Sequence, residues 1–139
     1  MNFIVDSSYA LAWVMKEEAG PETDNVLDSL GRGAKAFVPA LWHWEIANAL
    51  LGAERRKRAS RTEINAHLLL FRSLPIEVDE EAVHQAWGAT QLLAQKHMLT
   101  SYDAAYLELA IRRGLPLATL DEALVAAANL EKVLLLPEK

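Results

Sequence analysis

The chain contains no cysteine. That excludes disulfides, thiolate metal sites and a cysteine nucleophile, and it fits a cytoplasmic protein. No apolar run approaches the roughly 20 residues that a membrane-spanning helix needs. The opening MNFIVDSS lacks a basic n-region, and Asp6 interrupts its short apolar run, so a secretory leader is not expected. A basic excess is missing too: 14 Lys and Arg stand against 19 Asp and Glu, a net charge of −5. Proteins that grip nucleic acid through bulk charge are usually basic. If this chain handles nucleic acid, local patches or bound cations must reverse the sign where it matters. There is no GxxxxGK[ST] phosphate loop, and no His pair at metal-ligand spacing, which makes a zinc site improbable.

What is present suits one ordinary domain. The 139 residues are 52% hydrophobic and 24% charged, a globular balance, and a chain of this length buries a core without disulfides or a structural metal. Short β-rich runs alternate with amphipathic ones. NFIV (2–5), KAFV (35–38), IEV (76–78), LATL (117–120) and KVLLL (132–136) read as strands. Helices are expected over YALAWVMKE, PETDNVLDSL (21–30, with Pro21 in its first turn), 40–58, from a Ser60/Glu63 capping box to about Arg72, EEAVHQAWGATQLLAQK behind an Asp79 cap, 101–113 ending at Gly114, and EALVAAANL. Strand–helix alternation with apolar strands predicts an α/β fold, a parallel sheet covered by helices on both faces.

In open α/β sheets, ligands bind beyond the carboxyl ends of the strands. Asp6 directly follows the first strand and Asp121 directly follows LATL. Each suits the N-cap of the next helix. Asp103 lies in the first turn of LTSYDAAYLELA, where Thr100 and Asp103 fit a capping box. Glu45 is harder to explain by capping. It lies inside LWHWEIANALL, with no Lys or Arg three or four residues away, and a charged side chain there is costly unless it is paired or binds a cation. If the four acids converge, their charge density demands cations or protons. Hard divalent cations with oxygen ligands, Mg²⁺ or Mn²⁺, are the natural solution.

In order and spacing, MNFIVDSS, WEIANAL, LTSYDAAYLELA and LATLD resemble the four acidic motifs of the PIN domain, and more narrowly the VapC group of bacterial toxin ribonucleases. The resemblance spans essentially the whole chain. It implies a three-layer α/β/α fold with strand order 3-2-1-4-5, which sets Asp6 and Asp121 side by side. It implies a Mg²⁺- or Mn²⁺-dependent endoribonuclease, the toxin of a type II pair, leaving 5′-phosphate and 3′-hydroxyl ends. Asp6, Glu45, Asp103 and Asp121 would be its catalytic and metal-binding set. Asp6 and Asp103 would be direct ligands, with Glu45 and Asp121 completing the shell, positioning water or holding a second ion. It also implies homodimerisation and a small antitoxin partner that occupies the acidic site. Thr119 matches the small hydroxyl residue often found two before the last acid, and equally suits an ordinary strand. Ser7 and Ser8 could assist near Asp6, but as residues entering a helix they need no function.

Other features divide between bland and functional readings. The basic run RRKRASR (55–61) suits a helix C-terminus and a solvated turn, or an RNA-backbone track. Arg112 and Arg113 carry the same ambiguity at another helix end. The four histidines read as surface or structural residues. Trp42 shares the core spacing of its helix; Trp44 does not, and suits a partner interface. Three rivals compete with the nuclease: a non-catalytic PIN-fold binding module, a phospho-receiver domain, and a dehalogenase-type phosphatase. All four acids argue against the first. A receiver needs an acidic pair after its first strand and a late lysine, where this chain has Asp6-Ser7 and Leu135-Leu136-Pro137; the phosphatase needs D-x-D where this chain has D-S-S.

Overall fold

The computed structural model describes residues 1–15 and 17–137. The five strands are β1 (Phe3–Val5), β2 (Ala36–Val38), β3 (Ile76–Val78), β4 (Leu117–Ala118) and β5 (Leu135–Leu136). They form one parallel sheet in the order β3-β2-β1-β4-β5, as expected. The central strands are buried on both faces: Ile4, Val5, Ala36, Val38, Leu117 and Ala118 have no exposed surface. This is why the β1, β2 and β4 sequences are continuous apolar runs rather than alternating ones.

The helices are α1 (Ser7–Ala12), α2 (Pro21–Gly31), α3 (Leu41–Arg55), α4 (Arg61–Ser73), α5 (Ala89–His97), α6 (Ser101–Arg113) and α7 (Glu122–Leu130). Their starts follow the local chemistry. Asp6, Ser60, Thr100 and Asp121 each accept a backbone N–H of the first turn, and Ser60 and Glu63 complete a reciprocal box. Helix α6 ends at Gly114, whose φ of 63° terminates the helix in the left-handed region.

Two helices depart from expectation. The stretch after Asp79 is not one helix. It splits into a 3-10 turn (Ala82–Gln85) and α5, because Gly88 leaves the helical region at φ −119°, ψ −106° and glycine is a poor helix former. Helix α1 stops at Ala12; Trp13 instead packs edge-on against Tyr9 in the core, and Lys16 lies outside the described residues. Strand β4 is shorter than LATL because Thr119 and Leu120 leave the ladder for other partners.

Candidate active site

Register sets Asp6 beside the end of the strand that leads into Asp121. Val5 pairs with Ala118 across β1 and β4, and the Asp6 N–H continues the ladder to the Ala118 carbonyl at 3.1 Å. Asp6 therefore lies beside Thr119. It is buried, with 4% of its surface exposed. One carboxylate oxygen accepts the Ser8 hydroxyl at 2.7 Å and the Tyr9 N–H at 2.9 Å; the other accepts a short bond from the Thr119 hydroxyl. The Thr119 oxygen in turn accepts the Asp121 N–H at 3.0 Å, and Ser8 Oγ accepts the Leu120 N–H at 3.1 Å. Thr119 and Ser8 thus stitch α1 to the β4–α7 turn.

Glu45 enters from the second turn of α3. Its Oε1 accepts the phenol of Tyr106 at 2.5 Å, and the nearby Ser7 side chain favours the ionised form of both groups. Asp103 stands one turn before Tyr106 on α6. At this helix start, Thr100 Oγ1 accepts the Asp103 N–H at 3.1 Å. The N-cap bond is made by the Thr100 hydroxyl and not by the Asp103 carboxylate.

Electrostatics join the four acids. Burial pushes Asp6 up from 3.8 to about 6, against the hydrogen bonds of Thr119, Tyr9 and Ser8, and the charge of Asp103 adds to the rise. Glu45 is raised by burial and by Asp103, and Asp103 by burial and by Asp121. Asp103 is the shared neighbour. Among the described residues, none of the four pairs with a Lys, Arg or His side chain. The contrast with Asp79 is direct: it is equally buried, caps Ala82 at 2.8 Å, and is clasped by Arg112 and Arg113 at 2.8 and 2.6 Å. Burial opposes its ionisation, but the two guanidinium groups outweigh that and bring it down to about 2. Arg112 also holds buried Glu108, and Arg113 stacks 3.9 Å over Phe37. Both arginines are structural.

Among the described residues, no three Asp, Glu or His side chains already form a cage for a metal ion. The donor set still fits Mg²⁺ or Mn²⁺. All four donors are carboxylates, Asp103 repels the other three with no paired cation among the described residues, and Mg²⁺ takes only one or two carboxylates directly while keeping waters.

The PIN domain family model matches residues 3–130. The chain belongs to the PIN domain family. A curated PIN-domain relative, ribonuclease VapC3 of Pyrobaculum aerophilum, is 30% identical over 128 residues, covering 89% of this chain and 92% of the relative. The PIN fold recurs in VapBC2 of Rickettsia felis, solved bound to a DNA fragment from its promoter (TM-score 0.67, 14% identity, 97% of each chain). It recurs again in VapC20 of Mycobacterium tuberculosis, described as a sarcin-ricin loop cleaving toxin (TM-score 0.63, 17% identity, 90% of this chain and 94% of that one). Beyond the four acids, this PIN domain holds residues that sequence reasoning passed over. Tyr106 has no signal in the sequence beyond its place at i+3 from Asp103, and of the two serines that could assist near Asp6 it is Ser8 that bonds it.

The remaining candidates fall outside the cluster. Arg55 to Arg58 are exposed at the far end of α3, roughly 15 Å along the axis from Glu45, and Arg61 pairs with Glu54. His97 is buried against Glu131. Trp42 is in the core and Trp44 is 71% exposed. Trp44 borders an open groove of about 530 Å³ that also includes Leu41, Glu45, Asn48, Leu51 and Tyr102. No helix among the described residues is long and apolar enough to cross a membrane.

Proposed function

We propose that this PIN domain is a Mg²⁺-dependent endoribonuclease, the toxin of a type II, VapBC-like pair, acting in the cytoplasm. The observation that carries the reading is the set of four carboxylates in which Asp6, Glu45 and Asp121 each couple to Asp103, with no Lys, Arg or His paired to any of them among the described residues. The similarity to ribonuclease VapC3 supports RNA as the substrate.

Asp6 and Asp103 would hold the cation, with Glu45 and Asp121 positioning water around it; Mn²⁺ suits the same oxygens. When bound, the ion supplies the positive charge that lets a phosphodiester enter an acidic pocket and be attacked by water. The protein's own part is orientation. Ser8, Tyr9 and Thr119 fix both oxygens of Asp6, Tyr106 fixes one oxygen of Glu45, and the Asp121 backbone is tied to Thr119.

The partner is a small antitoxin. The groove beside Glu45, with exposed Trp44 and Tyr102 on its walls, suits the apolar face of a partner helix reaching towards the acidic site. A homodimer is the expected assembly of the toxin.

The test is RNA cleavage by the free protein with Mg²⁺, Mn²⁺ or EDTA. Cleavage should need the cation, leave 5′-phosphate and 3′-hydroxyl ends, and disappear in Asp6→Ala. Cleavage that persists in EDTA or in the variant would overturn the mechanism.

A further inference from the structure

Helix α6 contributes more than Asp103 to the cluster. Tyr106 has 1% of its surface exposed, and its hydroxyl is directed at Glu45 Oε1 from 61 residues away in sequence. Glu45 is half-buried on α3 and has no Lys, Arg or His partner among the described residues. A glutamate side chain on a helix samples several rotamers unless something holds it. Here the phenol is what holds it, and it comes from the helix that also carries Asp103.

We infer that Tyr106 is a positioning residue for the metal centre: its hydroxyl fixes the Glu45 carboxylate so that Glu45 faces the cation site shared with Asp103. The inference rests on the proposed metal-dependent reading. It extends a general feature of metal sites, in which groups bonded to the carboxylates set their orientation and affect affinity about 10- to 100-fold. A tyrosine present only to fill the core would do so equally well as phenylalanine. The hydroxyl is the part that geometry singles out.

The experiment is calorimetric titration of Mn²⁺ into the purified free protein, for wild type, Tyr106→Phe, Glu45→Gln and the double variant. Melting curves in EDTA confirm that each is folded; phenylalanine occupies the same space as the tyrosine ring. Tyr106→Phe should weaken Mn²⁺ binding about tenfold or more, and should add little to the loss in Glu45→Gln. A purely structural role would shift the melting temperature and leave the affinity alone. Equal affinity in wild type and Tyr106→Phe, or an undiminished tenfold loss in the Glu45→Gln background, overturns the role of Tyr106 while the metal-dependent reading stands. A wild-type protein that binds no Mn²⁺ overturns both.

Discussion

Asp6 sits among three hydrogen-bond donors and carries a charge that the fold does not neutralise. Its rise from 3.8 to about 6 means that the folded state takes up its proton more readily than the unfolded state does. A raised carboxyl value contributes stability that is present at low pH and lost as pH climbs through the folded value. At pH 7 the ionised form costs the metal-free fold about 3 kcal/mol. The metal-free protein should therefore gain stability as pH falls from 7 towards 4, with Glu45 and Asp103 adding in the same direction. Asp6→Asn should be the more stable protein at pH 7 and should lose most of that slope. Urea unfolding in EDTA at pH 7, 6 and 5 measures both effects; parallel curves for wild type and variant would contradict the assignment.

At the scale of elements, Asp79 shows what a buried carboxylate looks like when it serves the fold. It ties the end of β3 to the last turn of α6 through Arg112 and Arg113. Asp79→Asn keeps the shape and a capping oxygen but leaves two guanidinium groups short of their anion, and should cost about 3 kcal/mol at pH 7. Because the folded value lies near 2, this contribution should hold above pH 4 and vanish as pH falls through 2. Thermal denaturation of wild type and variant at pH 7 checks the size, and a difference under about 0.5 kcal/mol would place the pair among ordinary surface contacts. Elements were legible where the signal is local. The Ser60/Glu63 box, Gly114, and the apolar pattern of α6 and α7 are all written within a few residues of what they specify. The break at Gly88 was not, since the apolar pattern runs on across it. Nor were the arginine partners, because Asp79 and Arg112 are 33 residues apart and nothing local links them.

Across the whole molecule, the acidic site is assembled from β1, α3, α6 and the turn before α7. Its acids could be picked out because two follow strands, one interrupts an apolar helix, and all four fall in the order of a known family. What the sequence hid is what holds them: Thr119 is 113 residues from Asp6 and Tyr106 is 61 from Glu45, distances that only the folded sheet order closes. A net charge of −5 offers RNA no general attraction, so the proposed function places its binding at the site itself. Asp103 decides whether the cluster is one functional unit, since it couples to each of the other three and Thr100 already does the capping. The most direct measurement is RNA cleavage in Mg²⁺ by Asp103→Asn, paired with its unfolding free energy in EDTA. Cleavage should fall about 100-fold or more, while the metal-free fold is as stable as wild type or more so, because a repulsive charge has been removed. Cleavage near the wild-type rate, with stability lowered by about 1 kcal/mol as the loss of a helix cap would give, would contradict the account.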